Sequence, residues 1–197
     1  MRQHDRRALA EGLAADPALV LEIDGAHEAA LRAEVALRER GDALAVDGGD
    51  ARRAAYDVQR QAWSRARVVD HVQRLAGVKV LSARAPAPAE GDDARLFEAL
   101  LRVHAPPGAA ETVSPLVVDA LALAAESLLG AARGEDLERL RPLLSEASSA
   151  RCLKMSKLNL YQCMAVAGPQ YEDVFCLGQH ALLDTGQCVS GASGSGP

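Results

Sequence analysis

The chain has 197 residues, of which 49% are hydrophobic and only 3% aromatic, enough apolar material for one ordinary domain or two small ones. Abundant alanine with few aromatic residues favours closely packed helices over thick β-sandwiches. The net charge of -5 comes from interspersed acidic and basic residues, so we expect no binding to nucleic acid. No apolar run approaches the roughly 20 residues that cross a bilayer, and we expect no membrane span.

Residues 1–84 are predicted to form a small α+β domain. Short apolar runs bounded by turn residues predict strands over 18–23, 43–46 and 78–83. Apolar residues at intervals of three and four predict the helices between them, over 6–15, 27–40 and 50–76.

Glycines mark the predicted ends of these elements. Gly41 ends the second helix, and Asp47-Gly48-Gly49 closes the second strand. Asp50 is then predicted to be the N-cap of the third helix, which Gly77 terminates.

The stretch from residue 43 to 78 resembles OmpA-like peptidoglycan-binding domains over about 36 residues. The segments that carry the likeness are Val46-Asp47-Gly48, Gly48-Gly49-Asp50 in place of G-H-T-D, Ser64-Arg65-Ala66 near L-S-x-x-R-A, and Val68-Val69-Asp70. The resemblance implies a strand before a helix, with Asp50 and Arg65 as contacts to a peptidoglycan ligand.

Residues 85–92 (APAPAEGD) predict a Pro/Ala linker and therefore a domain boundary. A helical domain over 93–190 is expected next, and residues 191–197 are expected to be a flexible tail. Ser114 is a good N-cap because Pro115 occupies the first helical position. The predicted helices are 93–104, 114–129, 135–145, 148–166 and 171–184.

Four cysteines occur, at 152, 163, 176 and 188; the first three lie in the last two predicted helices, and Cys188 follows the end of the second by four residues. The 11-residue interval between Cys152 and Cys163 puts both on one helix face, but roughly 16 Å apart and out of bonding range. Gly168-Pro169 breaks the chain between Cys163 and Cys176. Two antiparallel helices then pair Cys163 with Cys176 and Cys152 with Cys188 in a single register. The sequence therefore predicts a hairpin with two nested disulfides.

The cysteine spacing is C-x10-C followed by C-x11-C, which resembles the twin C-x9-C helical hairpins of mitochondrial proteins. The likeness covers about 37 residues and concerns architecture alone. Two alternatives stay open at this point, namely four unpaired buried thiols and a zinc site. The zinc site is disfavoured because close C-x2–4-C pairs are absent.

His180 lies one helical turn after Cys176, and the hairpin register sets it opposite Asn159. Both are candidate ligand contacts, and the alternative is a histidine hydrogen-bonded across the hairpin. We predict no catalytic residue, cofactor or metal site, because neither G-x-S-x-G nor C-x-x-C occurs.

The sequence therefore predicts a mainly α protein ending in a cysteine-linked antiparallel helical hairpin. The leading functional hypothesis is a non-enzymatic bacterial cell-envelope module, structural or interacting, that is periplasmic or secreted. Its partner would be another envelope protein or a cell-wall component. One alternative is a small thiol- or metal-dependent enzyme using Cys176 and His180. Another is a cytoplasmic helical adaptor with reduced cysteines, which fits a first segment without the apolar core of a leader.

Overall fold

The structure is a computed structural model that describes residues 3–83, 113–144 and 146–192. Those residues form eight α-helices and no β-strand. The helices are α1 (Gln3–Ala15), α2 (Ala26–Val58), α3 (His71–Ser82), α4 (Pro115–Leu128), α5 (Leu137–Leu140), α6 (Ala147–Val166), α7 (Gln170–Cys176) and α8 (Asp184–Ala192). A π-helical segment, Leu177–Leu183, joins α7 to α8. The mainly α prediction is confirmed.

The α+β character predicted for residues 1–84 is wrong. The run 18–23 falls in a 3-10 turn, Pro17–Glu22, while 43–46 lies inside α2 and 78–83 lies largely in α3. A four- to six-residue apolar run fits a buried helix face as well as a strand, so its length could not decide between them.

Helix α2 continues for 33 residues through the predicted stops at Gly41 and Gly48. Asp50 is therefore a mid-helix residue, paired with Arg53, and its predicted N-cap role is wrong. The predicted helix 50–76 also divides, because α2 ends at Val58 and α3 begins at His71.

Four glycines explain why α2 is not broken. A Cβ atom on Gly48 would lie 2.5 Å from the backbone nitrogen of Leu183, and one on Gly186 would lie 2.5 Å from the carbonyl oxygen of Gly41. A Cβ on Gly178 would also clash, 3.0 Å from the carbonyl oxygen of Gly48. Glycine is required here because α2 meets the chain from α7 to α8 backbone against backbone.

The chain forms two compact units, each assembled from separate segments. Of the described residues, one unit contains 3–38, 113–144, 146–150 and 192, and the other contains 39–83 and 151–191. The predicted linker 85–92, the predicted helix 93–104 and residues 193–197 of the tail lie outside the described residues. The division into domains 1–84 and 93–190 stays a prediction.

A buried ion pair accompanies the apolar core of the first unit, in which Ala122, Leu140 and Leu143 cluster. The Glu126 carboxylate is fully buried and accepts two hydrogen bonds from Arg139, at 2.9 and 3.2 Å. The hydrogen bonds to Glu126 raise the pKa of Arg139. Removing Arg139 would leave the fully buried Glu126 carboxylate without its cation, at a cost of about 3 to 5 kcal/mol.

The predicted N-cap of α4 is confirmed, since the Ser114 hydroxyl accepts a hydrogen bond from the Val117 amide. The buried carboxylate of Glu34 adds a second cap. Its Oε1 atom accepts hydrogen bonds from the backbone nitrogen of Ser114, at 2.5 Å, and from the Ser114 hydroxyl.

Glycine substitutions test the backbone contact of α2. We expect Gly48→Ala to lower the free energy of unfolding by about 1 to 3 kcal/mol, because its Cβ meets backbone that cannot move aside. The matched control is Gly49→Ala, whose Cβ would approach only the flexible Arg53 side chain, at 3.6 Å. The Gly49→Ala variant should raise the free energy of unfolding by about 0.5 to 1 kcal/mol, because alanine has a higher helix propensity than glycine. Equal effects in urea unfolding would contradict the close packing.

A second prediction concerns acid stability of the first unit. Burial raises the pKa of Glu146, but hydrogen bonds from Ser148 and Ser149 outweigh burial and lower it from 4.5 to about 2. A folded-state pKa below the unfolded value stabilises the fold above pH 4.5, and this contribution disappears as the pH falls from 4.5 towards 2. We expect Glu146→Gln to remove this part of the pH dependence in thermal unfolding.

Asp119→Asn provides the control with the opposite sign. Burial and the charge of Glu146 raise the pKa of Asp119, so its ionisation opposes folding at neutral pH. The asparagine variant should therefore be more stable than the wild type at pH 7. Loss of stability in this variant would contradict the electrostatic account of the pair.

Candidate functional site

Two disulfides join α6 to the chain that runs from α7 to α8. Cys163 is bonded to Cys176 and Cys152 to Cys188, with Cα atoms 5.6 Å apart in each pair. The nested pairing predicted from helical periodicity is thus confirmed. All four cysteines are bonded in these pairs, so none of them is a free thiol or a zinc ligand in this structure.

The two disulfides differ in exposure. Cys176 and Cys188 are 1% and 7% exposed, whereas Cys152 lies on the surface and Cys163 is half-buried. Each bond therefore links an accessible residue on α6 to a buried one on the returning chain, and both lie among packed helices rather than in a mobile loop.

Hydrogen bonds within the turn, and between the turn and the segment that joins α2 to α3, fix the hairpin turn. The Glu172 carboxylate in the first turn of α7 accepts a hydrogen bond at 2.8 Å from the amide of Gly168, which lies just before the helix. The Gly168 carbonyl accepts from the Val68 amide, and the Gln170 amide donates to the Ala66 carbonyl, both at 3.0 Å. The segment between α2 and α3 is thereby bound to the turn.

Arg74 on α3 is the centre of an ion-pair network in the same unit. Its guanidinium donates to Asp173 at 2.6 Å and to Asp70 at 2.8 Å, and the pairing with these carboxylates raises its pKa. Arg74 also donates to the Met164 carbonyl at 3.4 Å. The network holds α3 against the hairpin. Asp70 and Arg74 are spaced four residues apart, as in a helical ion pair, but no local pattern indicates the contact of Arg74 with Asp173.

An open cleft of about 380 Å³ lies against the inner disulfide. Three of the chain's six aromatic residues line it. The rings of Tyr56 and Phe175 meet edge to face, with centroids 6.0 Å apart, and the Gln59 amide donates to the Tyr171 hydroxyl at 3.4 Å. The Arg52 guanidinium stacks on Phe175 at 5.3 Å. The cleft is therefore aromatic, with polar groups at its edge.

His180 lies in the π-helical segment and lines a second cleft, of about 330 Å³, together with Asn159. Its Nδ1 atom is 2.7 Å from the Asp184 carboxylate, which also accepts from Gln179 at 2.7 Å. The Ser156 hydroxyl donates to the backbone carbonyl of His180 at 2.5 Å. The structure brings His180 and Asn159 to one cleft, and their ligand role stays a prediction.

The other two candidate residues are not brought together. Asp50 pairs with Arg53 in mid-helix, while Arg65 donates to the carbonyl of Gln59 at 3.2 Å. The strand that the OmpA-like resemblance requires before Asp50 is helix α2, so the fold does not support that resemblance. Peptidoglycan binding by Asp50 and Arg65 remains a prediction without structural support.

Comparisons with protein-family models, with curated proteins and with solved structures found no match to this chain. None of the helices in residues 3–83, 113–144 and 146–192 has the length and hydropathy of a membrane span. Within the same ranges, no three or more His, Cys, Asp or Glu side chains are grouped to hold a metal ion.

Paired cysteine substitutions test what each disulfide contributes. The inner bond spans 13 residues and the outer bond 36. Chain-entropy estimates give about 3 kcal/mol for the inner bond and about 4 kcal/mol for the outer one, each as an upper limit. We therefore expect Cys152→Ala/Cys188→Ala to lower the free energy of unfolding more than Cys163→Ala/Cys176→Ala, measured by urea titration.

Nested bonds constrain overlapping loops, so each bond contributes less while the other is present, and removing all four cysteines should cost more than the sum of the two double variants. A larger loss for the inner pair would show that packing of the sulfur atoms, rather than loop closure, dominates their contribution.

Proposed function

We propose that this protein is a non-enzymatic module of a bacterial cell envelope, periplasmic or secreted, that holds a fixed surface for a partner. The observation that carries the proposal is the pairing of all four cysteines between packed helices. Disulfides of this kind persist in oxidising compartments and are rare in the bacterial cytoplasm, where thiols are kept reduced.

A structural role for the bonds is favoured over a catalytic one. Redox-active pairs lie close in sequence, commonly as C-x-x-C, and expose a reactive sulfur. Here the bonded residues are 13 and 36 positions apart, and Cys176 is 1% exposed. A thiol enzyme using Cys176 and His180 has no thiol available in this arrangement.

The aromatic cleft supports an interaction role. Aromatic side chains supply much of the binding energy of protein interfaces because they bury large areas with few rotatable bonds. The inner disulfide is part of the lining of this cleft, and Gln59 donates a hydrogen bond to the Tyr171 hydroxyl. The partner would be another envelope protein or a cell-wall component that fills the cleft with an apolar group.

Thiol trapping in the native cells tests the compartment. Cells are lysed in an alkylating agent and fractionated, and the chain is analysed by intact mass. We expect it in the periplasmic or secreted fraction with no alkylated cysteine and with four hydrogens fewer than the reduced chain. Reduction before alkylation is the control, and it should label all four cysteines. A cytosolic chain with four alkylated thiols would overturn the proposal.

A further inference from the structure

A locally basic segment lies within this acidic protein. The chain has a net charge of -5, yet residues 51–83 carry seven basic side chains and two acidic ones. The basic residues are Arg52, Arg53, Arg60, Arg65, Arg67, Arg74 and Lys79. The rest of the chain carries an excess of acidic residues, so the whole-chain net charge conceals this asymmetry.

Three of these arginines, Arg60, Arg65 and Arg67, are exposed on the connection between α2 and α3. Within the described part of the chain, no carboxylate lies within ion-pair distance of any of them. Arg65 uses its Nε atom for the Gln59 carbonyl, and its remaining donors are not used in this contact. The three guanidinium groups are therefore available to an external anion.

Apolar side chains are exposed on the same connection and in the first turn of α3. Trp63, Val69 and Val72 have 63%, 99% and 76% of their surface accessible. We call residues 60–72 the Arg/Trp segment. Scattered exposed apolar residues are common, but a tryptophan and two valines beside unpaired arginines within 13 residues form a surface of mixed chemistry.

The Arg/Trp segment is held in a defined conformation. Ser64 is fully buried, and its hydroxyl donates to the carbonyls of Val58 and Gln61. The backbone of residues 66–68 is hydrogen-bonded to the hairpin turn at Gly168 and Gln170, at 3.0 Å each. A segment fixed in this way loses little conformational entropy when it binds a partner.

We propose that the Arg/Trp segment docks this protein on the surface of an anionic lipid bilayer. The guanidinium groups of the three arginines would form charge-assisted hydrogen bonds with headgroup phosphates. Tryptophan favours the interface between headgroups and acyl chains, where its ring is apolar and its N–H finds acceptors.

The exposed valines favour a lipid bilayer over a dissolved polyanion as the binding partner. Val69 and Val72 lose contact with water when they enter a membrane interface, whereas a nucleic acid or polyphosphate would leave them largely hydrated. The inference rests on the proposed function only for the identity of the membrane, which would be one that faces the envelope compartment.

Vesicle binding of the oxidised full-length protein tests the proposal. Trp63 is the only tryptophan, so its fluorescence reports on the segment directly. We expect a blue shift and co-sedimentation with vesicles rich in phosphatidylglycerol, and neither with phosphatidylcholine alone. Each arginine near an anionic surface contributes about a fivefold gain in affinity, so Arg60→Gln/Arg65→Gln/Arg67→Gln should weaken binding about 100-fold. Trp63→Ala should weaken it without changing the charge.

The matched control is Arg32→Gln/Lys154→Gln/Lys157→Gln, which makes the same change in net charge at exposed sites outside the segment. It should retain most of the binding. Equal loss in both triple variants, or no blue shift from a folded protein with both disulfides intact, overturns the proposal. Binding to duplex DNA as tight as binding to vesicles at the same salt overturns it too. These results leave the thiol-trapping outcome unaffected, so the two proposals can fail separately.

Discussion

The disulfide-linked unit depends on a backbone contact that only glycine allows. Gly41 and Gly48 on α2 face Gly178 and Gly186 on the returning chain, at distances that exclude a Cβ atom. The close approach brings α2 near enough for Tyr56 to reach Phe175 and for Gln59 to reach Tyr171. The aromatic cleft therefore forms because the glycines let α2 approach the returning chain closely.

Periodicity was sufficient for the hairpin but not for the remainder of the fold. Helical spacing and one chain break determine which cysteines face each other, because a single register must satisfy both pairs. The same logic placed Asn159 near His180, and both line one cleft. Capping chemistry located the start of α4 at Ser114, since hydroxyl and proline occupy fixed positions there.

Rules based on neighbouring residues gave wrong predictions where contacts between distant parts of the chain determine the structure. Glycine normally ends helices, and Gly41 and Gly48 were interpreted in that way, yet their seven-residue spacing on one helix face indicates close packing instead. The pairing of Arg74 with Asp173 joins residues 99 positions apart, which no local pattern reveals. The net charge hides the basic segment, because residues 1–50 carry six basic and eleven acidic side chains and offset it.

The discontinuous make-up of the two units has a consequence for biosynthesis. Residues 39–83 find their partners in residues 151–191, and residues 3–38 find theirs after residue 108. A ribosome releases residues 39–83 well before residues 151–191 exist, so this unit cannot complete its packing until late in translation.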